Sequence, residues 1–122
     1  MAGNIRVLIV DDEESILFLL KRILSKDSIF EADTASRGYQ AVALAQKRDY
    51  DALICDIDLP DMDGTEIVKE LKLKQRCPPL VIFISGAVRS APKNMVGNTF
   101  FVRKPFNPTE VISLLIMNAR RK

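Results

Sequence analysis

The sequence predicts a single α/β domain in which a parallel β-sheet is covered by helices on both faces. Short apolar runs rich in β-branched residues alternate with longer segments whose apolar residues recur at helical spacing. Such alternation requires right-handed crossover connections onto one parallel sheet. The length of 122 residues suits one compact domain, which we expect to span residues 1–122.

Five segments have the composition of β-strands, and they lie at residues 5–10, 29–34, 52–55, 80–84 and 99–102. The first, third and fourth are almost wholly apolar, which is typical of strands that are buried on both faces of a parallel sheet. The second is weaker, because polar residues interrupt it. We expect these strands to alternate with five helices.

The helices have start signals of unequal strength. Ser36 is a candidate N-cap for the second helix. Residues 107–110, with the sequence Asn-Pro-Thr-Glu, predict a capping box at the start of the last helix. The segment 85–99 contains Pro92 and two glycines, so the fourth helix is predicted to be short or distorted.

Composition and charge exclude several classes of protein. A net charge of +2 is too small for a nucleic-acid-binding domain, and the basic residues 120–122 suit the last turn of a helix. The chain has no histidine, and Cys55 and Cys77 do not form a zinc or Cys-x-x-Cys motif. Neither a signal peptide nor a run of roughly 18 apolar residues is present. We expect a cytoplasmic protein that binds neither membrane nor nucleic acid.

The chemically suggestive residues fall at the carboxyl ends of the predicted strands, where open parallel sheets bind ligands. They are Asp11 and Asp12 after the first strand, Asp56 after the third, Ser85 after the fourth and Lys104 after the fifth. Clustered carboxylates repel, and a site of oxygen ligands favours Mg²⁺ as the balancing charge, together with the lysine. A carboxylate nucleophile, a metal ion, a lysine and a hydroxyl are the groups that phosphoryl transfer to aspartate requires.

With these residues in place, the chain resembles the receiver domain of two-component response regulators over essentially its whole length. The resemblance rests on VDDEE after the first strand, DIDLPDMDG after the third, ISGA after the fourth and RKPF after the fifth. Each motif is weak alone, but their order and positions are specific. The resemblance implies a flavodoxin-like fold with strand order 2-1-3-4-5.

The resemblance also implies a role for each residue of the site. Asp56 would be the phosphoacceptor, and Ser85 and Lys104 would contact the phosphoryl group. Mg²⁺ would be bound by the side chains of Asp11, Asp12 and Asp56 and by the backbone carbonyl of Asp58. Ser85 and Phe101 would form a switch that changes a partner-binding surface on phosphorylation.

The implied function is that of a signalling module rather than a conventional enzyme. The chain would take a phosphoryl group from the phosphohistidine of a sensor histidine kinase or a histidine phosphotransfer protein, and would slowly hydrolyse it. A downstream protein target would then bind. Two alternatives stay open: an interaction module that works without phosphorylation, and a receiver segment of a hybrid histidine kinase.

A phosphatase of the haloacid dehalogenase kind is a weaker alternative. Its Asp-x-Asp motif is matched by Asp56 and Asp58, but such enzymes are longer, and Asp11 and Asp12 would have no role.

The sequence departs from typical receivers at two places. The segment between Ser85 and Lys104 is a few residues shorter, which predicts a displaced or disordered fourth helix. Asp58 adds a carboxylate close to the phosphoacceptor, where it could repel or orient the water that hydrolyses an aspartyl phosphate. Arg103 is a candidate ion-pair partner for Asp58.

Overall fold

The computed structural model describes residues 4–86 and 98–119. Its elements are β1 (Ile5–Val10), α1 (Glu14–Leu24), β2 (Phe30–Ala35), α2 (Gly38–Lys47), β3 (Ala52–Asp56), α3 (Gly64–Leu73), β4 (Leu80–Ser85), β5 (Asn98–Arg103) and α4 (Pro108–Asn118). All neighbouring strands pair in parallel, in the order β2-β1-β3-β4-β5. The predicted fold class and strand order are therefore confirmed, and each strand lies within two residues of its predicted position.

Four helices, rather than the five expected, are present in the described part of the chain. The helix predicted between β4 and β5 falls on residues 87–97, which lie outside the described residues. Helix α4 spans Pro108–Asn118, and the prediction for the basic residues 120–122 also lies outside the described residues. No helix in the described ranges has the length and apolar character needed to cross a membrane.

The core consists of two apolar layers, one on each face of the sheet. Successive side chains of a strand point to opposite faces, so Leu8 and Val10 join the layer under α2 and α3. Val7 and Ile9 join the layer under α1 and α4. Strands β1, β3 and β4 are buried almost throughout, which explains why their sequences are continuous apolar runs rather than alternating ones.

Of the two predicted helix starts, that of α2 needs correction, and that of α4 is confirmed for its N-cap. Helix α2 begins after Arg37, which makes no side-chain cap, and the Ser36 hydroxyl bonds to Gln40 instead. At α4, Asn107 is the N-cap as predicted, and its side chain accepts a hydrogen bond from the Thr109 amide. The capping box found in the structure opens α3.

That capping box is formed by Asp63 and Glu66, and it has a clear sequence signature. The Asp63 side chain accepts from the Thr65 amide at 2.8 Å, while the Glu66 side chain accepts from the Asp63 amide at 3.1 Å. These contacts satisfy amides that a helix start otherwise leaves unpaired. They also fix where the loop after β3 ends.

Candidate functional site

The sheet brings together the polar residues predicted to form the site. Strand β3 lies between β1 and β4, so Asp56 at its carboxyl end has the ends of both neighbouring strands beside it. Asp11 and Asp12 follow β1, Ser85 is the last residue of β4, and Lys104 follows β5. The strand order therefore brings the site residues together at the carboxyl ends of the strands.

Three carboxylates form a tight cluster at the carboxyl ends of β1 and β3. One oxygen from each of Asp11, Asp12 and Asp56 lies within 4.8 Å of the others. Asp11 and Asp56 are buried, whereas Asp12 is exposed. Burial raises the pKa of Asp11 and of Asp56 above the ordinary value for an aspartate, because desolvation disfavours their charged forms. The cluster therefore creates a strong local demand for positive charge.

Lys104 supplies part of that charge by contacting three carboxylates. Its Nζ lies 2.8 Å from Glu13 Oε1, 3.0 Å from Asp11 Oδ2 and 3.3 Å from Asp56 Oδ2. Burial disfavours the charged ammonium, but these acidic neighbours outweigh it and raise the pKa of Lys104 above its ordinary value. The lysine therefore stays protonated.

Glu13 is a member of the site that the sequence analysis did not identify. It is the third acidic residue of the VDDEE motif and the N-cap residue of α1. Its carboxylate makes the shortest of the three contacts with Lys104. Only the folded chain shows this contact, because 91 residues separate the two side chains in sequence.

Asp56 itself is held by two groups. Its Oδ1 accepts a hydrogen bond from the Asp58 amide at 3.0 Å, and its Oδ2 faces Lys104. The neighbouring Cys55 is wholly buried, and burial raises the pKa of its thiol well above the ordinary range. Cys55 is thus a neutral residue of the core.

The side chain of Asp58 contacts Ser85 rather than Arg103. Ser85 Oγ donates to Asp58 Oδ2 at 3.2 Å, and Ser85 is 1% exposed. The predicted ion pair between Asp58 and Arg103 is not one of the ion pairs that the described residues form with one another. The structure therefore joins the extra carboxylate to the hydroxyl group of the site.

The loop between β3 and α3 is closed at its base by a close approach of the backbone. The Gly64 amide donates to the Ile57 carbonyl at 2.8 Å, and Asp58 and Asp63 form an antiparallel bridge. A Cβ at Gly64 would lie 2.6 Å from the Asp56 carbonyl oxygen. Glycine is therefore required at this position, which explains the Asp63-Gly64 pair at the start of α3.

The oxygen-only cluster has the features of a site for a hard divalent cation. Asp11 Oδ2 is buried, and its partner within the described residues is Lys104 Nζ at 3.0 Å. A cleft of about 370 Å³ is lined by Asp12, Glu13, Asp56, Asp58, Gly86 and Lys104. Carboxylates without histidine or thiolate are ligands that suit Mg²⁺. The residues present therefore fit such an ion.

The predicted switch residue Phe101 is half-buried and lies on β5, the strand that leads to Lys104. It is paired in register with Phe83 of β4, and the two ring centroids are 5.5 Å apart with an interplanar angle of 41°. Its ring packs against the layer that lies under α2 and α3.

Fold and site together define a class of doubly wound signalling domains with an acidic cluster beyond the central strand. The chain belongs to the response regulator receiver domain family, whose model matches residues 7–116. It is thus a receiver domain of two-component signalling, and this family consists of signalling modules rather than conventional enzymes.

Relatives in both sequence and structure agree with this membership. The transcriptional regulatory protein SrrA of Staphylococcus aureus is 35% identical over 107 residues, which cover 87% of this chain and 44% of SrrA. The chain thus spans less than half the length of that relative. The chemotaxis protein CheY4 of Vibrio cholerae is 30% identical with a TM-score of 0.80, covering 93% of this chain and 98% of that one. A CheY-like receiver domain protein of Methanospirillum hungatei is 29% identical with a TM-score of 0.77, covering 93% and 92%.

Proposed function

We propose that this receiver accepts a phosphoryl group on Asp56 in a two-component or phosphorelay system. The observation that carries the proposal is the cluster of Asp11, Asp12 and Asp56 facing Lys104 beyond the carboxyl end of the central strand. Asp56 is the member of this cluster at the end of β3, in the middle of the site. Membership of the receiver family supports the same assignment.

In the proposed reaction, a carboxylate oxygen of Asp56 attacks the phosphorus of a phosphohistidine. The phosphorus–nitrogen bond breaks, the imidazole nitrogen leaves with the electron pair, and an acyl phosphate forms on Asp56. Protonated Lys104 offsets charge on the phosphoryl oxygens as a point charge, and the buried Ser85 hydroxyl donates a hydrogen bond to them. Mg²⁺, held by Asp11, Asp12, Asp56 and the Asp58 carbonyl, would supply further positive charge there.

The proposed output is a change in a partner-binding surface. Ser85 would turn from Asp58 towards the phosphoryl group, and Phe101 would follow into the space that it leaves. Such a change is a two-state switch biased by new phosphate contacts. The partners would be a sensor histidine kinase or a histidine phosphotransfer protein as donor, and a downstream protein as target.

The proposal includes a cytoplasmic location and one receiver domain over residues 1–122, either alone or as part of a longer regulator or hybrid kinase. Both cysteines are free thiols, which suits a reducing compartment.

The test is labelling of the wild type and of Asp56→Asn with a small-molecule phosphodonor in Mg²⁺, read by intact mass. Asp49→Asn is the matched control, because Asp49 is an exposed aspartate that lies before β3, away from the carboxyl end of that strand. We expect the wild type and the control to gain one phosphoryl group, and Asp56→Asn to gain none. Chelation of Mg²⁺ should abolish labelling.

Fluoroberyllate, a mimic of the phosphoryl group, gives a second readout by calorimetry. A folded wild type that takes neither the label nor the mimic would contradict the proposal. It would favour the interaction module that works without phosphorylation.

A further inference from the structure

Asp61 and Asp63 are the two aspartates of DIDLPDMDG that the proposed reaction leaves unused, and Asp63 caps α3. Asp61 lies at the exposed tip of the loop between β3 and α3. Its two carboxylate oxygens accept hydrogen bonds from the amides of Gly38 at 2.9 Å and Tyr39 at 3.0 Å, the first two residues of α2. Slight burial opposes ionisation, but these hydrogen bonds outweigh it and lower the pKa of Asp61. The carboxylate therefore stays charged at neutral pH.

Helix α2 depends on this contact, because its own N-cap residue, Arg37, makes no side-chain cap. The first amides of a helix have no partners within the helix, and an aspartate is among the best groups to accept from them. Here the cap comes from a residue more than twenty positions later in the chain. It therefore ties two elements together rather than only starting a helix.

A second contact joins the same loop to the same helix. Gly38 leaves room for Met62, since a Cβ on Gly38 would lie 2.3 Å from Met62 Cγ and 2.6 Å from Met62 Sδ. Met62 is half-buried and packs against the core layer under α2 and α3. The tip of the loop is thus held on α2 by a charged cap and by a close apolar fit.

This loop also carries Asp58, whose amide donates to Asp56 Oδ1. The base of the loop is closed by the bond from the Gly64 amide to the Ile57 carbonyl, and its tip is held by Asp61. Asp58 lies between these two anchors. Groups that orient metal ligands without touching the metal commonly affect metal affinity.

We infer that Asp61 is a positioning residue, which caps α2 and thereby holds the Asp58 backbone where the site requires it. The inference rests on the proposed function, because it takes the Asp58 carbonyl as a ligand of Mg²⁺. Asp61 itself binds neither the ion nor the phosphoryl group.

The test is the Mg²⁺ dissociation constant, measured by calorimetry on the folded chain, for the wild type and for Asp61→Ala, Asp61→Asn and Gly38→Ala. We expect Asp61→Ala to weaken Mg²⁺ binding by about fivefold, the factor that the loss of one helix cap can supply. Asp61→Asn should bind Mg²⁺ with an affinity between those of the wild type and Asp61→Ala, because asparagine has one acceptor oxygen and can keep only one of the two hydrogen bonds. Gly38→Ala should weaken binding from the other side of the contact, by displacing Met62.

Asn107→Ala is the matched control, because it removes an N-cap from α4 and leaves the β3–α3 loop intact. It should lower the midpoint of urea unfolding as Asp61→Ala does, with unchanged Mg²⁺ affinity. The inference is overturned if Asp61→Ala loses stability but binds Mg²⁺ like the wild type, which would make Asp61 only a helix cap. It is also overturned if Asp61→Asn, which keeps one of the two hydrogen bonds, binds Mg²⁺ as weakly as Asp61→Ala, because the affinity would then not follow the cap. A folded wild type that binds no Mg²⁺ would instead refute the proposed function.

Discussion

Replacing Asp56 with asparagine should stabilise the metal-free fold, because it removes one charge from a cluster of like charges. The substitution keeps the size of the side chain. It also keeps an oxygen that accepts the hydrogen bond from the Asp58 amide. The change is therefore almost purely electrostatic, and its size follows from distances within the site.

At an effective dielectric constant of 20, two like charges 4.8 Å apart repel by about 3.5 kcal/mol, and opposite charges 3.3 Å apart attract by about 5 kcal/mol. Asp56 has two acidic neighbours in the cluster, Asp11 and Asp12, and contacts one cation, Lys104. The two repulsions exceed the attraction by about 2 kcal/mol. Solvent screening of the exposed Asp12 reduces this, so we expect Asp56→Asn to gain about 1 to 2 kcal/mol in free energy of unfolding.

The assay is urea unfolding in a chelator, followed by far-ultraviolet circular dichroism because the chain has no tryptophan. Burial raises the pKa of Asp56 in the folded chain, so protonation of Asp56 favours the folded state. The gain should therefore be full at a pH above the raised pKa of Asp56 in the folded chain. It should shrink as the pH falls through the raised pKa of the folded chain towards the ordinary aspartate value of 3.8.

A metal-free Asp56→Asn variant that is less stable than the wild type at neutral pH would refute this reasoning. It would mean that attraction to Lys104 exceeds the repulsion within the cluster. Asp49→Asn, at an exposed position, controls for the loss of an aspartate outside the cluster and should change stability little.

Two further substitutions test the packing around the site and the outer part of the fold. Gly64→Ala should lower the free energy of unfolding by about 2 kcal/mol or more, because the new Cβ would lie 2.6 Å from a backbone oxygen. It should also weaken fluoroberyllate binding. An unchanged urea midpoint would contradict this prediction. Tyr50→Phe removes the 2.6 Å hydrogen bond to Asp33 and should lower the free energy of unfolding in urea by about 1 kcal/mol. Fluoroberyllate binding should be unchanged, and a loss of binding would show that Tyr50 acts on the site.

The sheet could be predicted from sequence because burial on both faces leaves a local signal. Strands β1, β3 and β4 are continuous apolar runs, and their ends were located to within one residue. Strand β2 was placed one residue too early, since it is an edge strand whose partly exposed residues interrupt the apolar pattern. The positions of the site residues at the strand ends followed directly from the strands.

The contacts within the site were less predictable, because most of them join residues that are distant in sequence. The cap of α2 comes from Asp61 rather than Ser36, and Asp58 bonds to Ser85 rather than to Arg103. By contrast, the Asp63–Glu66 capping box is a local spacing that the sequence itself contains, although the capping box predicted from sequence lies at the start of α4. Local signals can be read from sequence, whereas pairings across the sheet require the fold.

The order of the strands also bears on when the site can form during folding. The cluster joins residues 11, 12, 56 and 104, so β1, β3 and β5 must all be in place before the last contact closes. Pairings over such sequence separations form slowly, because much chain entropy is lost before they contribute. An ion bound at this cluster would therefore favour only chains in which β1, β3 and β5 are assembled, and its binding would report that assembly.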